Sequence, residues 1–543
     1  MFKKIVLLFL IILTTAVFTK DIYVKAGSDG DGTKEKPFGY IWLALSKAER
    51  GDVIHVAQGT YNGKGGSGCF IIDKPGITLV GGYKDDFSER DPFKYFTILE
   101  RAKDYKGDVT GLKDGIIDGS GDHSGFILDG FVLNSQTRNS YVKGNTKIEP
   151  KNSWPGALIQ LNSANIKILN SILLNPYGEG IYVTWKGKDN RVENNFIINT
   201  FYNGISTRSA QPGSEILIKN NTIIFGWFQP GKGGAIGIFV GREGKTIIES
   251  NIIGYMQTEG GEAGNAVTNT FGNEDTVLKN NIFFQCQGGY YKYMDAQKKN
   301  LLVWKKEELK MLESEPEEFM LSEASGNSDE DPGIKPDPWY FDLFTRFVAS
   351  EPGKLEMDKM NQIRSMLGLP LQAKAGSSRE NWGMPYPLEK IVPNLVSKTG
   401  KGVNISKSFE KYVSTSVAEE NKEYEKVDFE VFEKSKSKTL VGKNVEFNAG
   451  IGDKKTDYLL KDVTRDNYDC YMILAPGETN YTRKYVFGYF LRGSKAHKAL
   501  EKYMKKISDI NKSGGFTIKG TAFYIGKDTY PYPVGIIIDD IKK

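Results

Sequence analysis

The sequence predicts a mainly β protein whose N-terminal half is a solenoid of stacked parallel strands. A partly helical stretch and a small β-rich domain follow. Three observations predict this: an internal repeat near 25 residues, an Asn or Ser at one fixed place in each repeat, and 60 Gly in 543 residues. Gly and Asn tolerate left-handed turns, which favours a turn-rich β architecture over helical bundles.

The repeat is clearest in five segments: Ile168 to Leu174, Val192 to Ile198, Ile218 to Ile224, Ile248 to Ile253 and Leu278 to Phe284. Each opens on an apolar residue, places Asn or Ser third (Asn170, Asn194, Asn220, Ser250, Asn280) and enters a hydrophobic run. The third places are 24, 26, 30 and 30 residues apart. Between them lies a second short strand: Gly180 to Val183, Gly204 to Thr207, Ala235 to Ile238 and Ala266 to Asn269. One period is then one coil, and coils stack as parallel strands about 4.8 Å apart. Inward Ile, Leu, Val and Phe form apolar columns. The third-place Asn column is expected to turn inward and bond amide to amide, which satisfies groups that are costly to bury alone. A leucine-rich repeat would need a shorter period and fixed Leu spacing, and neither is present.

Earlier coils are less regular: Asp52 to Val56, Gly76 to Val80, Thr97 to Leu99 and Gly125 to Leu133. The start is distinctive. Tyr23 to Phe38 is a Gly/Asp-rich turn, Ile41 to Ala48 a short helix, Gly51 to Tyr61 a strand of GD-hydrophobic-GxY form, and Ile77 to Tyr83 continues it. This opening resembles that of bacterial right-handed parallel β-helix proteins of the pectin-lyase-like superfamily. The resemblance spans roughly residues 21 to 290 and implies that fold. It does not imply one activity, because a fold hosts many functions.

Chain length calls for more than one unit. Lys3, Lys4 and the apolar run Ile5 to Leu13 read as a signal peptide over residues 1–19, with cleavage between Ala16 and Lys20. The mature protein is expected to be secreted, periplasmic or on the cell surface, without a transmembrane span. Cys69, Cys286 and Cys470 are too few and too scattered for a disulfide framework or a zinc site. The solenoid is expected over 20–290, and a helical or irregular cap and connector over 291–395, with Leu302, Leu309 and Leu312 on one helical side. Residues 396–543 are expected to form a small α+β domain, an OB-like barrel: several strands, one helix with Leu500, Tyr503, Met504, Ile507 and Ile510 at helical spacing, then two strands. Residues 400–543 hold 26 Lys and Arg against 20 Asp and Glu, a balance suited to an acidic glycan or envelope surface. No basic run or stacking motif points to nucleic acid.

Relatives with this solenoid often bind or cleave acidic polysaccharides along one groove, so the resemblance implies a protein that engages polysaccharide or cell-surface glycan. With only His55, His123 and His497 and no Asp pair beside a His, a polygalacturonase-type hydrolase is disfavoured. A uronate-type polysaccharide lyase is the first alternative. It removes a proton beside a uronate carboxylate with a Lys or Arg while a cation neutralises that carboxylate. Lys186, Arg208 and Arg242 follow the second strand of successive coils and are the candidate bases. Glu179, Asp189 and Glu262 in adjoining loops are candidate ligands for Ca2+, the cofactor a lyase would use. Candidate sugar-binding aromatics are Tyr177, Phe201 and Trp227 at one turn place, Tyr202 and Phe228 at the next, and Trp185 one strand later. Such rings stack on sugar faces or pack on each other. The second alternative is a structural surface protein or adhesin in which the solenoid is a spacer for the C-terminal domain.

Overall fold

A computed structural model describes residues 19–64, 68–102, 115–135, 156–176, 178–228, 235–258, 264–295, 297–303, 306–345, 361, 364–371, 385–409, 412, 424–432, 440, 443–455, 468–476, 485–491, 494–524 and 534–543. The expected signal peptide lies outside the described residues. Up to Ser328 the chain winds as a parallel β-helix of three long sheets, here called A, B and C, with 10, 8 and 9 strands. Each coil gives one strand to A, then B, then C. A short helix, Ile41–Lys47, closes the first coil with Ile41, Ala44 and Leu45 buried.

The predicted apolar columns are continuous. In sheet A, Ile22, Ile54, Leu79, Leu128, Ile168, Val192, Ile218, Ile248, Leu278 and Ala324 are in register from coil to coil. All ten are buried. Each residue shields its neighbours above and below, so the core is a column without a centre.

The Asn column forms one place later than expected. Asn170, Asn194, Asn220, Ser250 and Asn280 take positive φ, between 47° and 62°, and make the sharp corner from sheet A to sheet B. Asn visits this region at lower cost than other side chains. The inward ladder is built by the following residues, Asn195, Asn221, Asn251, Asn281 and Asn327. Nδ2 of each of the first four donates to Oδ1 of the next, over 2.9–3.0 Å. The same Oδ1 atoms accept a main-chain N–H from the preceding coil. Each Nδ2 also donates to a carbonyl of that coil, such as Val192 for Asn221. In a buried amide chain with both ends used, the hydrogen bonds offset the cost of desolvation. The second corner, from B to C, repeats the device outside: Asn199 donates to Asn175 over 2.7 Å and Asn175 to Asn134. Phe225 and Tyr255 then replace the amides with rings stacked at 4.9 Å.

The solenoid extends past the boundary expected at 290. Tyr291–Met294 adds to sheet C and turns back on Asn300–Val303, the one antiparallel pair in the three sheets among the described residues. Glu323–Ser325 adds to sheet A, Asn327 ends the ladder and Ser328 bridges to Ile282. The helix Lys306–Ser314 is an insertion in this last coil. It buries Leu309 and Leu312 as the pattern predicts, whereas Leu302 lies in the strand before it. The sequence also offers a helix over Leu355 to Leu367 within the expected cap, and it falls largely outside the described residues.

Beyond Ser328 the chain returns along sheet B. Gly402 donates to the Ser250 carbonyl, Val403 to Thr222 Oγ1, and Asn404 to Asn194 Oδ1, while Asn194 Nδ2 donates back to the Asn404 carbonyl. Farther along, Tyr412 donates to Asp129 Oδ2 over 2.8 Å. Each step moves one or more coils toward the N-terminus. The strap covers outward apolar residues of sheet B that would otherwise face water. A Cβ on Gly402 would meet Thr222 Oγ1 at 2.6 Å, and φ there is +74°, so this close crossing needs glycine.

The C-terminal unit is a small closed β-barrel. Its five main strands are Asn444–Lys455, Tyr468–Leu474, Tyr485–Leu491, Phe516–Tyr524 and Val534–Lys542. First pairs with second, second with third, third with fifth, fifth with fourth, and fourth with first, and only the third–fifth pair is parallel. Helical turns Lys495–Tyr503 and Ile507–Lys512 lie between the third and fourth strands. Leu500 and Ile510 are buried as their spacing predicts. Met504 is 47% exposed because a 3-10 turn, Met504–Lys506, breaks the helical register there. Of the strands expected in this unit, Tyr458 to Val463 lies outside the described residues. Cys69, Cys286 and Cys470 are free and buried.

Candidate functional site on the outer face of sheet C

Alternation along each sheet C strand sends Ile181 and Val183 inward and Tyr182 outward. Tyr182, Ser206, Phe239, Thr268 and Lys292 are in register down this outer face. Arg208 follows the strand Asn203–Ser206 and lies half-buried between two rings, its Cζ 5.6 Å from the Tyr182 centroid and 6.0 Å from that of Phe239. Phe239 meets Phe271 edge-on at 5.6 Å, and the Arg242 guanidinium lies 5.5 Å from the Phe271 centroid. Two arginines and three partly exposed rings thus form one stripe across successive coils. Each cation over a ring contributes roughly 0.5–1 kcal/mol at such sites and holds the guanidinium in place. Tyr182 Oη and Ser209 Oγ share a 2.5 Å hydrogen bond that fixes the ring's outer edge.

Behind Arg208 stands Glu179, at the B-to-C corner and 5% exposed. Its Oε1 accepts a hydrogen bond from Asn203 Nδ2 over 2.6 Å and lies 3.7 Å from Arg208 Nη2. Burial pushes the Glu179 carboxyl up to about 7, although Arg208 and the Asn203 amide pull it down. A carboxyl in this range exchanges its proton at neutral pH. Burial also raises the neighbouring Tyr202 hydroxyl.

The sign of the linkage sets a stability prediction. Glu179 binds its proton more tightly folded than unfolded, so its contribution is full below about pH 4.5 and is lost as pH rises toward 7. Two and a half pH decades correspond to about 3 kcal/mol. Glu179→Gln is therefore expected to raise the melting temperature at pH 8 and leave it nearly unchanged at pH 4.5. Thermal melts at the two pH values check this, and equal shifts at both would contradict it.

The three candidate bases separate. Arg208 and Arg242 belong to the stripe. Lys186 also follows its strand, Ile181–Val183, but lies farther on, at the turn toward sheet A, where it bridges to Ala164 and its main-chain carbonyl accepts from the Asn165 N–H and Asn190 Nδ2. Its charge helps burial hold His123 down at about 4. The His123 ring is a structural group: Nε2 accepts from the Asn162 N–H, so Nδ1–H donates to the Gly121 carbonyl. The candidate calcium ligands Glu179 and Asp189 stand at opposite corners of a coil. Asp189 pairs with Lys167 and Arg191, at 2.6 and 2.9 Å. Burial pushes its carboxyl up, but these two cations outweigh it and hold the group below the usual range. Glu262 lies outside the described residues. Among the described residues, no three His, Cys, Asp or Glu side chains come together to hold a metal ion.

Of the candidate sugar-binding aromatics, Trp185 and Trp227 are fully buried, and Phe201 and Tyr202 are nearly so. Trp185 Nε1 donates to the Ser206 carbonyl and Trp227 Nε1 to Asn199 Oδ1, both over 2.9 Å. Phe201 packs edge-on to Trp227 at 4.8 Å. Phe201 and Trp227 fill the B-to-C corner and Trp185 is buried past the end of its sheet C strand, the packing outcome of the two that their spacing allowed. Tyr177 lies outside the described residues, and Phe228 continues the short strand Trp227–Phe228. The outer-face rings Tyr182 and Phe239 were legible from alternation about Ile181 and Ile238. Phe271 lies in a turn with no repeat signal.

A family model described as a right handed beta helix region matches residues 156–303. The coils of this stretch are thus those of a right-handed β-helix. Solved structures with related coils include the GH136 lacto-N-biosidase from Eubacterium ramulus, at 12% identity and a TM-score of 0.34 over 50% of this chain and 57% of that one. A rhamnogalacturonan lyase aligns at 13% identity and a TM-score of 0.30, over 70% of this chain and 99% of that one. Pectate lyase Pel9A aligns at 12% identity and a TM-score of 0.24, over 51% and 76%. This chain thus spans little more than half the length of the first of these. Scores this low carry nothing about chemistry. No curated protein matches the sequence. No helix among the described residues is long and apolar enough to cross a membrane.

Proposed function

We propose that the protein is an exported glycan-engaging β-helix that binds an acidic polysaccharide along the outer face of sheet C. The observation that carries this is the stripe of Tyr182, Arg208, Phe239, Phe271 and Arg242. Rings offer apolar faces to sugar CH groups and arginines offer forked donors to carboxylates. Their repetition from coil to coil suits an extended chain. Binding of labelled polyuronates and neutral glycans tests the reading. Phe239→Ala is expected to weaken acidic-chain binding about fivefold to thirtyfold, on the order of 1–2 kcal/mol for a lost stacking face and a loosened Arg208. Unchanged binding would place the glycan elsewhere.

Glu179 favours a second reading, a uronate-type lyase. A carboxyl near 7 behind Arg208 can hold or release a proton next to the face on which an acidic sugar would lie. Ultraviolet absorbance of unsaturated product, with and without calcium, separates turnover from binding. We read the barrel as an OB-like module. Support comes from the strand order first-second-third-fifth-fourth, its closure and the helix between the third and fourth strands.

A further inference from the structure

The stripe holds one group whose charge opposes its own function. Glu179 sits behind Arg208, not in front of it, with its carboxyl nearly closed to solvent. Arg208 is one-third exposed, and its guanidinium reaches both the carboxyl behind and the open face between Tyr182 and Phe239. An anionic ligand on that face and an ionised Glu179 therefore compete for the same cation. The groups that face Glu179 are Arg208, Asn203 and Tyr202, from the strand Asn203–Ser206 and its two ends. Tyr202 stays neutral across the neutral range, since its hydroxyl is pushed further up. Asn203 donates to the carboxyl whether or not it is ionised, because a protonated carboxyl keeps an accepting oxygen.

Resting on the glycan reading above, we propose that Glu179 is a proton-operated competitor for Arg208, so that the sheet C face binds acidic chains on the acid side of neutrality and releases them on the alkaline side. Protonated, Glu179 leaves the guanidinium free for a ligand carboxylate. Ionised, it pairs with Arg208 and cancels the charge the ligand would meet. By linkage, a bound acidic chain must raise the affinity of Glu179 for its proton, so binding near pH 7 takes up a proton from solvent. The position of its titration near neutrality places the switch in a useful range. Glu179→Gln keeps the shape and the acceptor for Asn203 but fixes the neutral state.

The test uses the full mature chain and polygalacturonate as probe, whose own carboxylates stay ionised over the range used. Titration calorimetry at pH 6 and pH 8.5, in buffers of different ionisation enthalpy, is expected to show about a tenfold loss of affinity with rising pH, with proton uptake near pH 7. For Glu179→Gln the affinity is expected to stay at the low-pH value and the uptake to vanish. A wild-type affinity that does not change with pH, or an equal slope in the variant, overturns the switch while leaving the glycan reading in place. No binding by either protein overturns the glycan reading. The switch is then judged without ligand, by the 13C shift of the Glu179 carboxyl, identified by its loss in Glu179→Gln. A midpoint near 7 that rises in Arg208→Gln supports it, and a midpoint at an ordinary glutamate value overturns it.

Discussion

Trp227→Ala is expected to destabilise the solenoid by about 3–5 kcal/mol, the usual cost of removing a large buried ring. The residue is fully buried at the B-to-C corner, its Nε1 bonded to Asn199 and its face against Phe201. Truncation leaves a cavity and strips a partner from Asn199, whose amide also links to Asn175 in the coil before. Coils contact only their neighbours, so the damage is expected to spread by loss of stacking. The variant should melt far below wild type, yet bind glycan normally at temperatures where it remains folded. Thermal denaturation with binding measured well below the transition checks both parts. A variant that stays as stable as wild type and loses glycan would show that the ring is a sugar platform after all.

The second large effect is expected at the inward ladder. Asn221→Leu keeps the side-chain size but removes four hydrogen bonds: two accepted from Asn195, one donated to Val192 and one to Asn251. Each buried partner left without a bond costs about 1–3 kcal/mol, and the expected total is about 4 kcal/mol. Asn220→Ala, one residue away, should cost only about 1–2 kcal/mol, the price of a non-Asn side chain in the left-handed region. Chemical denaturation of the two variants decides between them. Equal losses would mean that the corner, and not the amide chain, sets stability.

That one-residue distinction also marks how far the fold was legible. Coil count and strand places could be read because a solenoid repeats its environment every turn. The ladder was read one place early because most coils carry two consecutive Asn, as in Asn194-Asn195 and Asn220-Asn221. Ser250-Asn251 separates the roles, since Ser suffices at the corner but cannot continue an amide chain, and Gly326-Asn327 does the same at the last coil. The strap was not legible at all. Its bond from Asn404 to Asn194 joins residues 210 apart, and nothing local encodes such a return.

At the site, Arg208 and Arg242 fall on the stripe, while Lys186, reached by the same rule of following the second strand, falls at the turn toward sheet A, because the length of the turn differs from coil to coil. The aromatic choice went to the corner rings, since bulk alone cannot say on which side of a coil a ring lies. Alternation could: Tyr182 stands between two inward apolar residues. The raised titration of Glu179 could not be read, because it comes from burial beneath Arg208, a property of packing.

The most direct measurement is the affinity of the protein for a polyuronate, compared with that of Arg208→Ala and Arg242→Ala, at pH 6 and low salt. Both arginines stand on the outer face, so both variants should fold with melting temperatures close to wild type. The account predicts measurable binding by wild type, a loss of about tenfold or more in each variant, and weakening of wild-type binding by added salt. Wild-type affinity in both folded variants would contradict it.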